Sequence, residues 1–283
     1  MMHPGNIHTM TPRASFAEYL QVTNTAGSGK ASSYVRALDL LGPILAKPSS
    51  TFTDCSNIWD ISSITRISEL YKYVLVQQNL GEAGIFGGEK PISYWRDRYC
   101  SAALMSFREF LITSRHETKL LEVFKQSGIS ADTLTKQLSK QKLDFTGVIG
   151  KEAIREVKTR VNQHFFRTMI LQVYDGRCCI TGLDIPQVLR ASHIMAWAED
   201  KDNRLNPTNG LCLSATFDAA FDAHLISLDE QFHLIFSPQL KEHHSNKAFQ
   251  EHFKPYENQP IALPATFTPS QDFLKKHRER LIA

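Results

Sequence analysis

Apolar residues recur at helical spacing through most of the first half of the chain. The stretch from Ser15 to about Ile129 reads as mainly helical, after a lead-in over residues 1–14 that carries few apolar anchors. Val35, Leu38, Leu41 and Leu45 fall on one helical face, with Ser32 or Ser33 as N-cap. Ile64, Ile67, Leu70 and Val74 repeat the pattern in residues 61–80, and a third helix is expected within residues 91–113, starting near Pro91 or Ser93. Residues 127–150 are polar with weak periodicity and read as a connection. A further helix is expected over residues 152–174.

Beyond that helix the pattern changes. Short apolar runs over residues 178–182, 212–217 and 232–237 alternate with Gly, Pro, Asn and Asp, which predicts small strands and tight turns. Residues 268–282 read as a short capped helix with basic residues. The shift predicts an α+β protein: a mainly helical domain over residues 1–145, then a second domain over residues 146–283. No internal repeat is visible.

Composition narrows the classes. At 42% hydrophobic and 22% charged, the 283 residues can build a sizeable core. No apolar run is long enough to span a bilayer, and residues 1–20 lack a signal peptide's apolar centre, so a cytoplasmic protein without membrane association is expected. A net charge of +3 is too small to argue for nucleic-acid binding unless the charges are clustered. Five cysteines, two of them adjacent, fit reduced thiols better than a disulfide framework.

Two segments invite a chemical reading. The first, Gly27-Ser28-Gly29-Lys30-Ala31-Ser32, superficially resembles a phosphate loop, but that motif needs Gly where Asn24 stands and Ser or Thr where Ala31 stands. The residues before it also read as helix rather than strand, so nucleotide hydrolysis is rejected. The second, residues 177–229, places His193 after a short run and a strong turn signal at Asn206–Gly210. Asp218 and Asp222 then lie four residues apart, on one face of a helix. A histidine of near-neutral pKa can take a proton from water, and a carboxylate can hold a hard divalent ion at a phosphodiester.

From about Val161 onward the chain resembles the HNH (ββα-metal) endonuclease family of restriction and defence type. The resemblance rests on the lead-in VNQHFFRTMILQVYDGRC, Cys178 to Gly182, the block ASHIMAW, Asn209-Gly210, Phe221-Asp222 and the closing HRERL. It implies a mainly helical N-terminal domain for recognition or dimerisation, followed by an HNH ββα-metal nuclease domain. It implies His193 as general base, Asn209 as the residue that braces the loop and orients the histidine or reaches toward the metal, and Asp218 as metal ligand. The expected cofactor is Mg2+ or Mn2+, the partner DNA, and the assembly a homodimer.

The sequence departs from the family pattern in places. Ser192 stands where relatives carry an acidic residue or His, Asp218 where His is usual, Phe217 where His or Cys is frequent, and His224 where Gly is common. Ser192, Arg190, Arg204 and Asp222 are expected to contact phosphate or support the metal ligand, and Lys201 flanks the same block. Too few ligands surround Cys178, Cys179 and Cys212 for a structural zinc, so these read as core residues. His243 and His244 read as a solvated pair. Tyr94, Trp95, Arg96, Arg98 and Tyr99 interleave aromatic and basic groups, a pattern that suits either a core helix or a nucleic-acid contact. Two other functions fit the same residues: a signal- or partner-activated effector nuclease, and a DNA-binding protein whose nuclease site has decayed.

Overall fold

The computed structural model describes residues 11–23, 29–125, 129–141 and 151–281, with the side chains of residues 22 and 151–153 outside the description. The chain divides into two compact units, Met1–His116 with Leu143–Arg160 and Glu117–Lys142 with Val161–Ala283. The expected boundary at residues 145–146 lies outside the described residues, as do Gly27, Ser28 and Asn24 of the loop-like segment.

The first unit is helical. It contains α1 (Pro12–Thr23), α2 (Lys30–Leu45), α3 (Ile64–Leu80), α4 (Ser93–Arg96) and the first part of α5 (Tyr99–Phe124). Helix α1 starts inside the expected lead-in, because Phe16, Tyr19 and Leu20 have a core to bury in. In α2 the predicted face of Val35, Leu38, Leu41 and Leu45 is buried, but the helix begins at Lys30, before either serine. Gly29 at φ 65° makes the turn into it, a conformation that costs glycine little. Helix α3 is capped by Ser63, whose hydroxyl accepts from the Arg66 amide at 3.2 Å, and it buries Ile64, Ile67, Leu70 and Val74. The third expected helix is interrupted at Arg98, whose φ of 62° ends α4 and lets α5 begin. The unit's core is aromatic: Phe107 meets Phe16 edge-on at 5.3 Å and Trp59 at 5.5 Å.

The second unit starts within α5 and holds α6 (Ala131–Ser139) and the later part of α7 (Lys151–Val173). Helix α6 lies where a connection was expected. Its two buried leucines, Leu134 and Leu138, one turn apart, join a larger apolar cluster, and Ser130 caps it through the Thr133 amide at 3.3 Å. Tertiary packing supplies what the weak local periodicity does not. Next come strand β1 (Leu189–His193), strand β2 (Gly210–Ser214) and helix α8 (Ala215–Asp222), then β3 (Ile226–Leu228) and β4 (Leu234–Phe236). Helices α9 (Pro238–Lys241), α10 (Lys247–His252) and α11 (Gln271–Arg278) follow.

Strands β1 and β2 pair antiparallel, with Leu189 opposite Ser214 and His193 opposite Gly210; β3 and β4 form a second antiparallel pair. Residues 178–182, expected as a strand, form a turn instead. The Cys178 amide donates to the Leu183 carbonyl at 2.8 Å, and Gly182 takes φ 71° to close it. Ser270 stands at the N-cap position of α11 without a side-chain capping bond. Phe165, Phe166, Met169 and Ile170 of α7 pack with Leu211, Leu213, Phe217, Phe221 and Leu274 as the unit's core. Among the described residues no helix is long and apolar enough to cross a membrane.

Candidate active site on strand β1

Successive residues of a strand project to opposite faces, so Ser192 and His193 must serve different surroundings. On the His193 side stands α7. Gly210, opposite His193, has no room for a side chain: a Cβ there would lie 2.8 Å from the Phe166 ring and closer still to Ile170. This close approach lets the Phe166 ring stack on the imidazole, with centroids 3.6 Å apart and planes inclined by 14°. Trp197 meets the imidazole edge-on at 5.3 Å.

The hydrogen bonds of His193 define its chemistry. Its Nε2 lies 3.1 Å from the Arg204 carbonyl oxygen, which can only accept. Nε2 therefore carries the proton in the neutral ring, and Nδ1 holds the lone pair. Burial pulls the pKa down to about 4, against the opposing effect of the bond to Arg204, and the Arg204 charge lowers it further. The imidazole is therefore neutral near pH 7 with Nδ1 unprotonated, and burial makes it a weaker base than the near-neutral histidine expected from the sequence.

The long loop between β1 and β2 is held from inside. Asn209 is fully buried, and its Oδ1 accepts from the Met195 amide at 2.8 Å. Its Nδ2 donates to the carbonyls of Met195 at 3.3 Å and Asn203 at 3.2 Å. Asn206 accepts from Thr208 N and Oγ1, and donates to Asn203, which in turn donates to Asp200. Arg204 donates from Nε to the Trp197 carbonyl at 2.7 Å and lays its guanidinium 4.9 Å from the Trp197 ring. Asn209 thus fixes the loop whose Arg204 carbonyl orients His193. Both Nδ2 donors are used within the loop, and Oδ1 accepts one hydrogen bond there.

The other face of β1 is electrostatic. Ser192 is buried, and its Oγ makes no hydrogen bond of ordinary length, yet it is close enough to the Asp218 carboxylate to help hold its pKa down. Burial wins at Asp218 all the same and raises its pKa, against the pull of Ser192, Arg190 and Arg167. Asp222, one turn on, is raised by partial desolvation and then by the negative charge of Asp218. Arg190 is exposed and bonds the Gln187 and Leu189 carbonyls, while Arg167 forks to Leu189 and Pro186.

Two groups therefore form: His193 with Asn209 and Arg204, and Ser192 with Asp218, Asp222 and Arg190. Among the described residues no hydrogen bond joins them. The second group suits a hard divalent cation, since two carboxylates unfavourable as anions and an unpartnered hydroxyl are all oxygen donors. Mg2+ characteristically binds one or two carboxylates and keeps several waters. Among the described residues no cluster of three or more His, Cys, Asp or Glu side chains forms, so water would complete the shell.

Phe166, Trp197 and Arg167 were not singled out from sequence. The aromatic pair at Phe165-Phe166, four residues before Ile170, was the available signal, but its meaning depends on the absent side chain of Gly210. The remaining polar candidates stand apart. Lys201, His243 and His244 are exposed. Cys178, Cys179 and Cys212 are buried, and Cys178 Sγ accepts from the Ser214 amide at 3.2 Å. Trp95 is buried and donates to the Glu89 carbonyl, whereas Tyr99 is 39% exposed, so the aromatic–basic stretch serves both core and surface.

No curated protein matches the chain. Residues 178–229, which span the turn before β1, both strands and α8, match the family described as HNH endonuclease, and that match supports a nuclease in the C-terminal part of the chain.

Proposed function

We propose that the chain is a divalent-metal-dependent endonuclease that hydrolyses DNA phosphodiester bonds, with its reactive centre on β1 and α8. The observation that carries this reading is the state of His193: neutral, stacked on Phe166 and tied at Nε2, with Nδ1 left as the base. In this reading His193 Nδ1 takes a proton from the attacking water. The Arg204 carbonyl and the Phe166 ring keep the imidazole in one orientation, which is what positions the base for proton transfer. Asp218 would hold Mg2+ or Mn2+, supported by Asp222 and the Ser192 hydroxyl. The ion, when bound, stabilises the charge that builds on phosphate and leaving oxygen. Arg190, exposed beside this group, would contact phosphate, and Arg204 serves mainly through its carbonyl.

A restriction or defence role fits best with such a domain joined to a separate helical unit able to carry recognition or dimerisation. A homodimer would supply the second centre needed to cut both strands. The test is cleavage of modified and unmodified plasmid DNA with Mg2+, Mn2+ or EDTA, by wild type and His193→Ala. Metal-dependent fragments that vanish in the variant are expected. Equal cleavage by the variant would remove His193 from the mechanism, and no cleavage by the wild type under any of these conditions would overturn the reading of a self-sufficient nuclease.

A further inference from the structure

A concave surface lies within the N-terminal unit, built by elements that the nuclease reading does not use. A cleft of about 500 Å³ is lined by Lys30, Ser33 and Tyr34 of α2 and by Asp97, Arg98 and Tyr99 at the junction of α4 and α5. Its volume is that of an ordinary small-ligand site. Its lining is both basic and aromatic. Lys30 Nζ lies 5.2 Å from the Tyr34 ring centroid. Tyr99 is 39% exposed, and its ring lies 5.5 Å from that of Tyr94, over which Arg36 sits in turn.

Arg98 brings a positive charge to the cleft. Its acid, Asp97, is engaged by the neighbouring Arg96 through two hydrogen bonds, at 2.8 and 3.2 Å. The Arg98 guanidinium is held at 2.7 Å by Asn79 Oδ1, a neutral acceptor that orients the group without cancelling its charge. Lys30 and Tyr99 are also the first residues of α2 and α5, so the positive ends of two helix dipoles add to the side-chain charges. An anion at a helix start is favoured by that dipole. Arg98 is kept in place despite a left-handed φ of 62°, where a bulky side chain is uncommon.

We propose that this cleft binds a phosphorylated nucleoside, its phosphate against Arg98 and its base on Tyr99. A bare phosphate would use only the basic side chains, and duplex DNA keeps its bases stacked out of reach of a tyrosine face. The combination of positive charge and an exposed ring selects an unpaired nucleotide. Such a nucleotide comes from two sources, a free nucleotide or a unit of a single strand. The site stands independently of the nuclease centre.

The test uses the full-length chain carrying His193→Ala, in EDTA, so that cleavage plays no part. Fluorescently labelled ATP, a short labelled single-stranded DNA and a labelled duplex are titrated by anisotropy. Saturable binding of ATP or of the single strand is expected, weakened about tenfold or more by Arg98→Asn and by Tyr99→Leu, the scale of one charge-assisted contact or one stacked base. Asparagine tolerates the left-handed backbone, so Arg98→Asn removes the charge without forcing the turn. Binding of ATP alone assigns a free nucleotide, and binding of the strand alone assigns nucleic acid. No binding of either, preference for the duplex, or binding unchanged in both variants would overturn the proposal. Because His193 and metal are removed throughout, none of these failures bears on the nuclease reading.

Discussion

The two faces of β1 are built on opposite principles. The His193 face is closed: a ring stacked on the imidazole, a carbonyl on Nε2, and a fully bonded asparagine beneath the loop. The Ser192 face is unfinished: a buried hydroxyl without a hydrogen bond beside two carboxylates whose charged forms are disfavoured. In the proposed mechanism preorganisation would fix the base, whereas incompletely satisfied oxygens are what a cation would complete. The comparison predicts that variants of the first face lose catalysis through geometry, and that variants of the second lose it through metal affinity.

His193→Ala gives the largest effect. Removing the base is expected to lower the cleavage rate about 10²–10⁴-fold, with metal affinity near the wild-type value. Measuring the rate at saturating Mn2+, and Mn2+ binding by calorimetry, separates the two. Asp218→Asn should do the reverse at smaller scale, weakening Mn2+ binding about 10–100-fold with part of the rate recovered at high metal. Asp222→Asn should weaken it less, since Asp222 is exposed. If both aspartate variants left Mn2+ binding intact, the unfinished face would need another occupant.

What could be read in the sequence divides along the same line. The turn residues Asn206, Asn209 and Gly210 announce themselves by residue type, because asparagine side chains readily bond backbone groups; Asn206 bonds the Thr208 amide close by, whereas Asn209 reaches back across the loop to Met195. The buried faces of α2 and α3 are local, being repeats of one helix period. Helix α6 was missed because only two leucines hold it. Residues 178–182 were misread because an apolar run with glycine at its end can close a turn as well as extend a strand. Phe166 was invisible as a partner of His193: its stacking depends on what Gly210 lacks, 44 positions away, and no periodicity encodes that. The cleft of the N-terminal unit likewise joins residues far apart in the chain: Lys30 and the stretch ending at Tyr99 each stand out locally, but nothing local shows that they meet.

Helix α8, which carries both aspartates, is pinned at its end by α11. His277 lies 3.1 Å from the Phe221 carbonyl, 2.9 Å from Ser227 Oγ and stacked on the Phe221 ring at 3.8 Å. Burial, followed by the charge of His224, pulls its pKa down to about 4, with Arg280 adding to the effect and the Phe221 carbonyl opposing it. A histidine whose folded pKa lies below the unfolded value of about 6.5 contributes full stability above that value and loses it as pH falls toward the folded pKa. The expected loss from His277 is about 2 kcal/mol by pH 5 and about 3 kcal/mol below pH 4. His193, also lowered to about 4, acts in the same direction. Urea denaturation of wild type and His277→Gln at pH 7 and pH 5 checks this, the variant showing a shallower pH dependence. An equal slope would mean that His277 titrates normally.

Asn209→Ala tests the closed face without touching the base. It leaves the Met195 amide and the Met195 and Asn203 carbonyls without their partner, an expected cost of about 1–3 kcal/mol in stability. The loop that presents the Arg204 carbonyl also loosens, so the cleavage rate should fall even where the protein remains folded. Metal affinity should hold if Asn209 acts only through the loop; a fall in Mn2+ binding would instead assign its Oδ1 to the ion.

Ser192→Ala has the smallest effect and the sharpest sign. A buried hydroxyl without a hydrogen bond costs free energy in the fold, so replacing it by a methyl group of nearly the same shape should leave stability unchanged or raise it by up to about 1 kcal/mol. The same change removes one influence that holds the Asp218 pKa down, and with it one oxygen of the group that would hold the cation, so metal binding should weaken. Stability and metal affinity should therefore move in opposite directions, which a residue serving only the fold would not produce. Ser192→Asp should tighten Mn2+ binding while destabilising the metal-free protein, through a third carboxylate beside Asp218 and Asp222. Melting temperatures with and without Mn2+ read both variants in one experiment: the metal-induced rise should shrink in Ser192→Ala and grow in Ser192→Asp. If the rise stays the same in both, Ser192 belongs to the fold alone, and the unfinished face of β1 reduces to its two aspartates.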